Sequence, residues 1–165
     1  MTENGIKASS NGKGSDGLSA ERQLMCRGVR GATTVKSNDR DEILEATREL
    51  LSMMVRVNDI EIEDIASVYL TTTKDLDTTY PAFAARQLGW LDLALLCGHE
   101  MEVPDGLPRC IRVLIHWNTS KAQNELGHIY LREAKSLRVD RHNVPPIRPV
   151  QMSNIDAAMK VLGNG

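Results

Sequence analysis

Aromatic side chains are scarce in this sequence, at 4% of 165 residues, with one Phe, two Trp and three Tyr. A core must therefore be built from Leu, Ile, Val, Ala and Met, and the 41% hydrophobic content is enough to build one. Paired surface aromatics of the kind that stack nucleic-acid bases are lacking. An excess of charge is lacking too: 20 Lys and Arg stand against 22 Asp and Glu. That balance removes the bulk electrostatic case for nucleic acid or an anionic membrane, while a local arginine cluster can still hold a small anion. Cys26, Cys97 and Cys110 are odd in number and form no CxxC pair, so neither a disulfide framework nor a metal site is expected. All three fall in apolar, strand-like segments, where a reduced Cys acts as a small hydrophobe. No apolar run approaches the roughly 20 residues needed to span a bilayer. The first residues have no signal-peptide core, and they carry Glu3 and Asp16 but no Arg, unlike a transit peptide. A reducing, cytoplasmic location is the expectation.

The length suits one domain, since domains commonly run to roughly 100–150 residues. Residues 1–24, rich in Gly, Ser, Asn and Lys, read as a disordered N-terminal extension. Residues 25–140 read as the folded domain, and 141–165 as a flexible C-terminal tail with Pro145, Pro146 and Pro149. The tail's apolar patch at Ile155, Met159 and Val161 fits a docking tail or a frayed helix equally well.

Within the domain the segments alternate in type. Met25 to Val35 reads as a strand with Gly28 and Gly31 permitting close backbone approach. Ser37, Asn38 and Asp39 are helix-capping candidates, and Asp41 and Glu42 suit a helix's positive end. Ile43, Leu44, Thr47, Leu50, Leu51, Met54 and Val55 then form one stripe of an amphipathic helix ending near Asn58. A second strand is predicted over Ile65–Thr72, and a short helix between Pro81 and Gly89. The run Leu93–Cys97 fits a strand buried on both faces. Cys110–Trp117 alternates, with Ile111, Val113, Ile115 and Trp117 on one face and Cys110, Arg112, Leu114 and His116 on the other. A final strand or turn is expected at Ile129–Leu131, with a helical turn before Arg138. The order indicates an α+β domain: a mixed β-sheet with helices packed on one side.

Arg112 stands out because it interrupts an apolar strand, where a guanidinium must be paired or face a polar pocket. Arg30 is set among glycines on the first strand, and Glu100 follows the apolar run directly. A purely structural Arg–Glu pair accounts for these residues as well as a functional pocket does. Cys97 and His99 share a strand face, which permits a thiol–imidazole pair, but no electropositive helix terminus or oxyanion motif accompanies them. Inert packing is the commoner role for such a Cys. His116 and His128 have no partners at metal-ligand spacing.

The stretch RGVRGATTV (Arg27–Val35) resembles the opening of AroH-class chorismate mutases. So do the later YPAFAARQLGW, CGHEMEV, LPRCIRVLIHWNT and HIYLREAKSLR, in the same order and at nearly the same spacing from Met25 to about Asp140. Each motif alone is weak; together they are specific. The resemblance implies a homotrimeric pseudo-barrel with active sites between subunits, no cofactor, and chorismate as substrate. It makes Arg30, Glu100, Arg112 and Tyr130 the polar centre of the site, with Cys97 lining it and hydrogen-bonding the substrate. Tyr80 matches an aromatic wall, Arg86 an arginine near the mouth, and Leu137 and Arg138 a C-terminal flap. Tyr80 and Arg86 are expected to meet the arginines of another subunit. Phe83 stands where relatives often have lysine, Leu96 replaces a common polar residue, and the loop before Gly89 is one residue shorter.

The implied reaction, chorismate to prephenate, breaks one C–O bond as one C–C bond forms within a single molecule. It calls for holding a flexible dianion in its compact shape, which the planar, always-charged fork of arginine suits. It also calls for a fixed cation beside the ether oxygen, where negative charge grows, and the resemblance gives that part to Arg112. The alternative is a non-catalytic trimeric sensor for an aromatic-pathway acid; the intact Arg30, Glu100, Arg112 and Tyr130 argue against it. A trimeric deaminase that grips a carboxylate is a third reading, and it would lack the Glu100-to-Arg112 spacing.

Overall fold

A computed structural model describes residues 23–141. The tail patch at Ile155, Met159 and Val161 lies outside the described residues, as does almost all of the N-terminal extension. Strand β1 (Met25–Thr34) leads into helix α1 (Arg40–Asn58), which is followed by β2 (Ile65–Thr72), helix α2 (Ala82–Gln87), β3 (Leu95–His99), β4 (Cys110–Thr119) and β5 (Ile129–Tyr130). A 3-10 helix over Arg132–Arg141 closes the described chain. The strands form one mixed sheet in the order β3-β2-β4-β1-β5. β4 is antiparallel to both β1 and β2, while β3 runs parallel to β2 and β5 parallel to β1.

The helix boundaries have local causes. Asp39 caps α1 by accepting from the backbone N–H groups of Asp41 and Glu42, each at 3.0 Å. Glu42 reaches back across the same end: its carboxylate accepts from the Lys36 and Ser37 backbone and from the Ser37 hydroxyl. The helix stops where Asp59 turns into the left-handed region at φ 55°. α2 opens after Pro81, and Gly89 follows its end at φ 89°. The predicted stripe of α1 packs on the sheet: Leu50, Leu51 and Met54 are fully buried against Val29, Leu70 and Ile115. A Cβ at Gly31 would stand 2.3 Å from the Met54 Sδ, so any larger residue there would force Met54 to shift.

Helices therefore cover one face of the sheet, the one bearing Ile111, Val113, Ile115 and Trp117. The opposite face carries Arg30, Ala32, Tyr69, Thr71, Arg112 and Leu114 and is open. Two expectations need correction. The run Leu93–Cys97 is not a strand buried on both faces: β3 begins at Leu95, occupies the sheet edge, and leaves Leu96 64% exposed. An apolar run looks the same whether both faces or only one is covered. Cys26 is exposed rather than packed, because it is the second residue of β1, near the end of the sheet and opposite Asn118. Among the described residues no helix is long and apolar enough to cross a membrane.

Candidate active site

The open face carries a cleft of about 590 Å³ whose walls include Arg30, Tyr69, Thr71, Glu100, Arg112 and Tyr130. Strand pairing assembles it. Arg112 on the central strand lies opposite Ala32 on one side and Thr71 on the other. Ala32 is in turn beside Tyr130 of β5. With its small side chain, Ala32 leaves the space over β1 through which Arg112 and Tyr130 face the same opening. Glu100 lies just past the end of β3, where its backbone N–H donates to the Thr72 carbonyl at 2.8 Å.

Two polar pairs result. Arg112 Nη1 donates to Glu100 Oε2 at 3.4 Å, with side-chain exposures of 41% and 22%. Arg112 Nε is buried and meets no hydrogen-bond acceptor among the described residues. A charged donor left unpaired at a cleft floor is costly, and an incoming anion or oxygen acceptor relieves that cost. Across the cleft, Arg30 Nη2 donates to the Tyr130 hydroxyl at 2.6 Å, and the Arg30 backbone N–H donates to His128 Nδ1 at 3.1 Å. The Arg138 guanidinium lies 5.8 Å from the centre of the Tyr130 ring and donates to the His128 carbonyl at 3.3 Å. Leu137 completes this wall. Arg30, Glu100, Arg112, Tyr130 and Leu137 thus share one cleft, with Arg138 at its rim.

Cys97, Tyr80 and Arg86 lie elsewhere on the same chain. Cys97 is level with Leu70 in the register and packs against the helix-covered core, so its side chain is on the sheet face opposite Arg112. Burial pushes its thiol above the ordinary value of 9.0, opposed by a hydrogen bond from the Ala82 backbone. A neutral, half-buried thiol is a poor nucleophile, which weakens the Cys97–His99 pairing. His99 Nδ1 is instead near the hydroxyl and carbonyl of Thr72, at 3.3 and 3.4 Å. Tyr80, 67% exposed, precedes α2, where its ring is 6.3 Å from that of Phe83, and Arg86 is exposed on α2. His116 accepts from or donates to the Ser67 hydroxyl at 2.8 Å. Among the described residues no three His, Cys, Asp or Glu side chains converge as metal ligands.

Sequence reasoning missed Tyr69 and Thr71, which line the cleft floor. The Thr71 hydroxyl donates to Glu100 Oε1. The alternation Ser67, Tyr69, Thr71 marks these residues as sharing a face, but only the strand pairing shows that Arg112 is on it.

The fold is an α+β domain whose open sheet face pairs an arginine with a glutamate in a cleft. The family model for chorismate mutase type I matches residues 26–141. The chain is 49% identical over 117 residues to chorismate mutase AroH of Thermus thermophilus, covering 70% of this chain and 96% of that protein. It is 40% identical over 118 residues to chorismate mutase AroH of Bacillus subtilis, covering 71% and 93%. A solved chorismate mutase from Clostridium thermocellum superposes with a TM-score of 0.66 at 47% identity, covering 67% of this chain and 98% of that one. The chain belongs to the type I chorismate mutases, and its activity is the isomerase reaction of that family.

Proposed function

We propose that the cleft converts chorismate to prephenate by restraint and electrostatics, with residues 25–140 as the functional unit. Arg112 stands beside the ether oxygen of the substrate and stabilises the negative charge that grows there as the C–O bond lengthens. Arg30 and Tyr130 hold a substrate carboxylate, and Glu100 accepts from the substrate hydroxyl while orienting Arg112. The observation that carries this reading is Arg112 itself: partly exposed at the cleft floor, paired with Glu100, and with a buried Nε that meets no acceptor among the described residues. Arginine serves better than lysine here because its fork offers several fixed donors and keeps its charge.

The working form is a homotrimer in the cytoplasm, its three sheets closing into a pseudo-barrel. The open sheet face supports this, since Leu96, Met101 and Val103 are exposed at 64%, 83% and 51% around the cleft. Exposed apolar surface of this kind is typical of interaction sites. Tyr80 and Arg86 then enter the cleft of a neighbouring subunit, which accounts for their separation from Arg112 on one chain. Free thiols at Cys26, Cys97 and Cys110 suit a reducing compartment.

Subunit mixing tests the shared site. Arg112→Ala and Arg86→Ala proteins are each expected to be nearly inactive. Unfolded together and refolded, they should regain part of the wild-type turnover, because some clefts then draw an intact Arg112 and an intact Arg86 from different chains. No recovery from well-folded mixed trimers would place both residues in the same subunit's site and refute the arrangement.

A further inference from the structure

We propose that Thr71 is a positioning residue for this reaction: its hydroxyl fixes the Glu100 carboxylate and, through it, the Arg112 guanidinium. The inference rests on the reading of Glu100 and Arg112 given above. Thr71 lies on the open face of β2 but is only 7% exposed, directly across from Arg112 in the β2–β4 pairing. On its other side it is level with Gly98 of β3, two residues before Glu100. Glu100 divides its two oxygens between these neighbours: Oε1 accepts from the Thr71 hydroxyl and Oε2 from Arg112 Nη1 at 3.4 Å.

The need for such a device follows from where Glu100 sits. It is past the last residue of β3, and one backbone bond to the Thr72 carbonyl holds its main chain. Its side chain has three rotatable bonds, and fixing a glutamate of this freedom costs rotamer entropy. Arg112 at 3.4 Å is a weak tether by itself, at the long limit of hydrogen bonding. Thr71 supplies the stronger one. As a β-branched residue in a strand it has few χ1 options, so its hydroxyl is an anchor already pointed at the carboxylate. A hydrogen bond to an ionised acceptor is also stronger than one between neutral groups. Its backbone groups belong to the β2 ladder and are not affected by the side chain. Replacing the hydroxyl by a methyl group therefore leaves the sheet intact, and valine is well suited to a strand.

The test is a set of purified variants assayed for chorismate turnover. Thr71→Val should fold normally and lose about tenfold in kcat/KM, the scale of one hydrogen bond to a charged group. Thr71→Ser, which keeps the hydroxyl, should recover most of that loss. In a Glu100→Ala background, Thr71→Val should have no further effect, because the group it positions is gone. The same proportional loss in both backgrounds would overturn the inference, as would Thr71→Ser being no better than Thr71→Val. Full turnover by Glu100→Ala would overturn the reading of Glu100 and this inference with it. A damaged Glu100→Ala beside an unaffected Thr71→Val would overturn this inference alone.

Discussion

Replacing Asn58 by alanine should destabilise the fold by about 3 kcal/mol, the net worth of three hydrogen bonds at about 1 kcal/mol each. Asn58 ends α1 and is 1% exposed. Its amide nitrogen donates to the Met54 carbonyl at 2.9 Å and the Gly127 carbonyl at 2.8 Å, and its amide oxygen accepts from the Gly127 N–H at 2.8 Å. It therefore satisfies both backbone groups of a residue 69 positions away in the chain. Alanine removes all three bonds and leaves the Gly127 N–H and C=O without these partners at a half-buried site. Aspartate should be worse at neutral pH, since a carboxylate replaces the donor that faces two carbonyls. Gly127 leads through His128 into β5, which pairs with β1 and sets Tyr130 beside Arg30. The same substitution should consequently lower kcat/KM well below the melting temperature. Urea denaturation followed by circular dichroism measures the stability, at one fixed protein concentration so that assembly does not enter. A loss below about 1 kcal/mol, typical of an ordinary surface change, would refute the reasoning.

Other consequences concern titration. Hydrogen bonds from the Ser37 hydroxyl and the Lys36 backbone hold the Glu42 carboxyl below its ordinary value of 4.5. The stability it contributes is then present above pH 4.5 and is lost as pH falls through the lowered value. Glu42→Gln should be less stable than wild type at neutral pH, and the gap should close in acid; a gap independent of pH would contradict this. Burial pushes the Cys97 and Cys110 thiols above 9.0, with Arg112 opposing the shift at Cys110. The folded state keeps protons there that the unfolded chain gives up, so stability should fall as pH rises past about 9. A thiol reagent at neutral pH should accordingly titrate exposed Cys26 quickly and the other two slowly. Cys97 reacting as fast as Cys26 would count against its neutral, packed state.

The parts of the fold set by neighbours in the chain were legible in the sequence. Asp39, the Ile43–Val55 stripe and the alternation of Cys110–Trp117 have local physical causes, and the structure follows them closely. Arg112 stood out as an arginine inside an apolar strand, but its setting fitted a structural pair equally well, and Tyr130 was named only through the family resemblance. What depends on pairing between distant strands was not legible. Nothing local reveals that Cys97 aligns with Leu70, on the face opposite Arg112, or that β3 is an edge. Thr71 was missed because threonine in a strand already satisfies β propensity, and its hydroxyl gains a purpose only when Glu100 is brought beside it.

Turnover of chorismate by Arg112→Lys, beside wild type and Arg112→Ala, tests the central claim most directly. Lysine keeps the charge but loses the fork, the hold on Glu100 and the Nε donor at the cleft floor. Losing even two charge-assisted hydrogen bonds, at about 1.5–3 kcal/mol each, corresponds to a fall of roughly 100-fold or more in kcat. The expected result is that loss in Arg112→Lys, a larger one in Arg112→Ala, and unchanged circular dichroism and melting temperature in both. Near-wild-type turnover by folded Arg112→Lys would contradict the account.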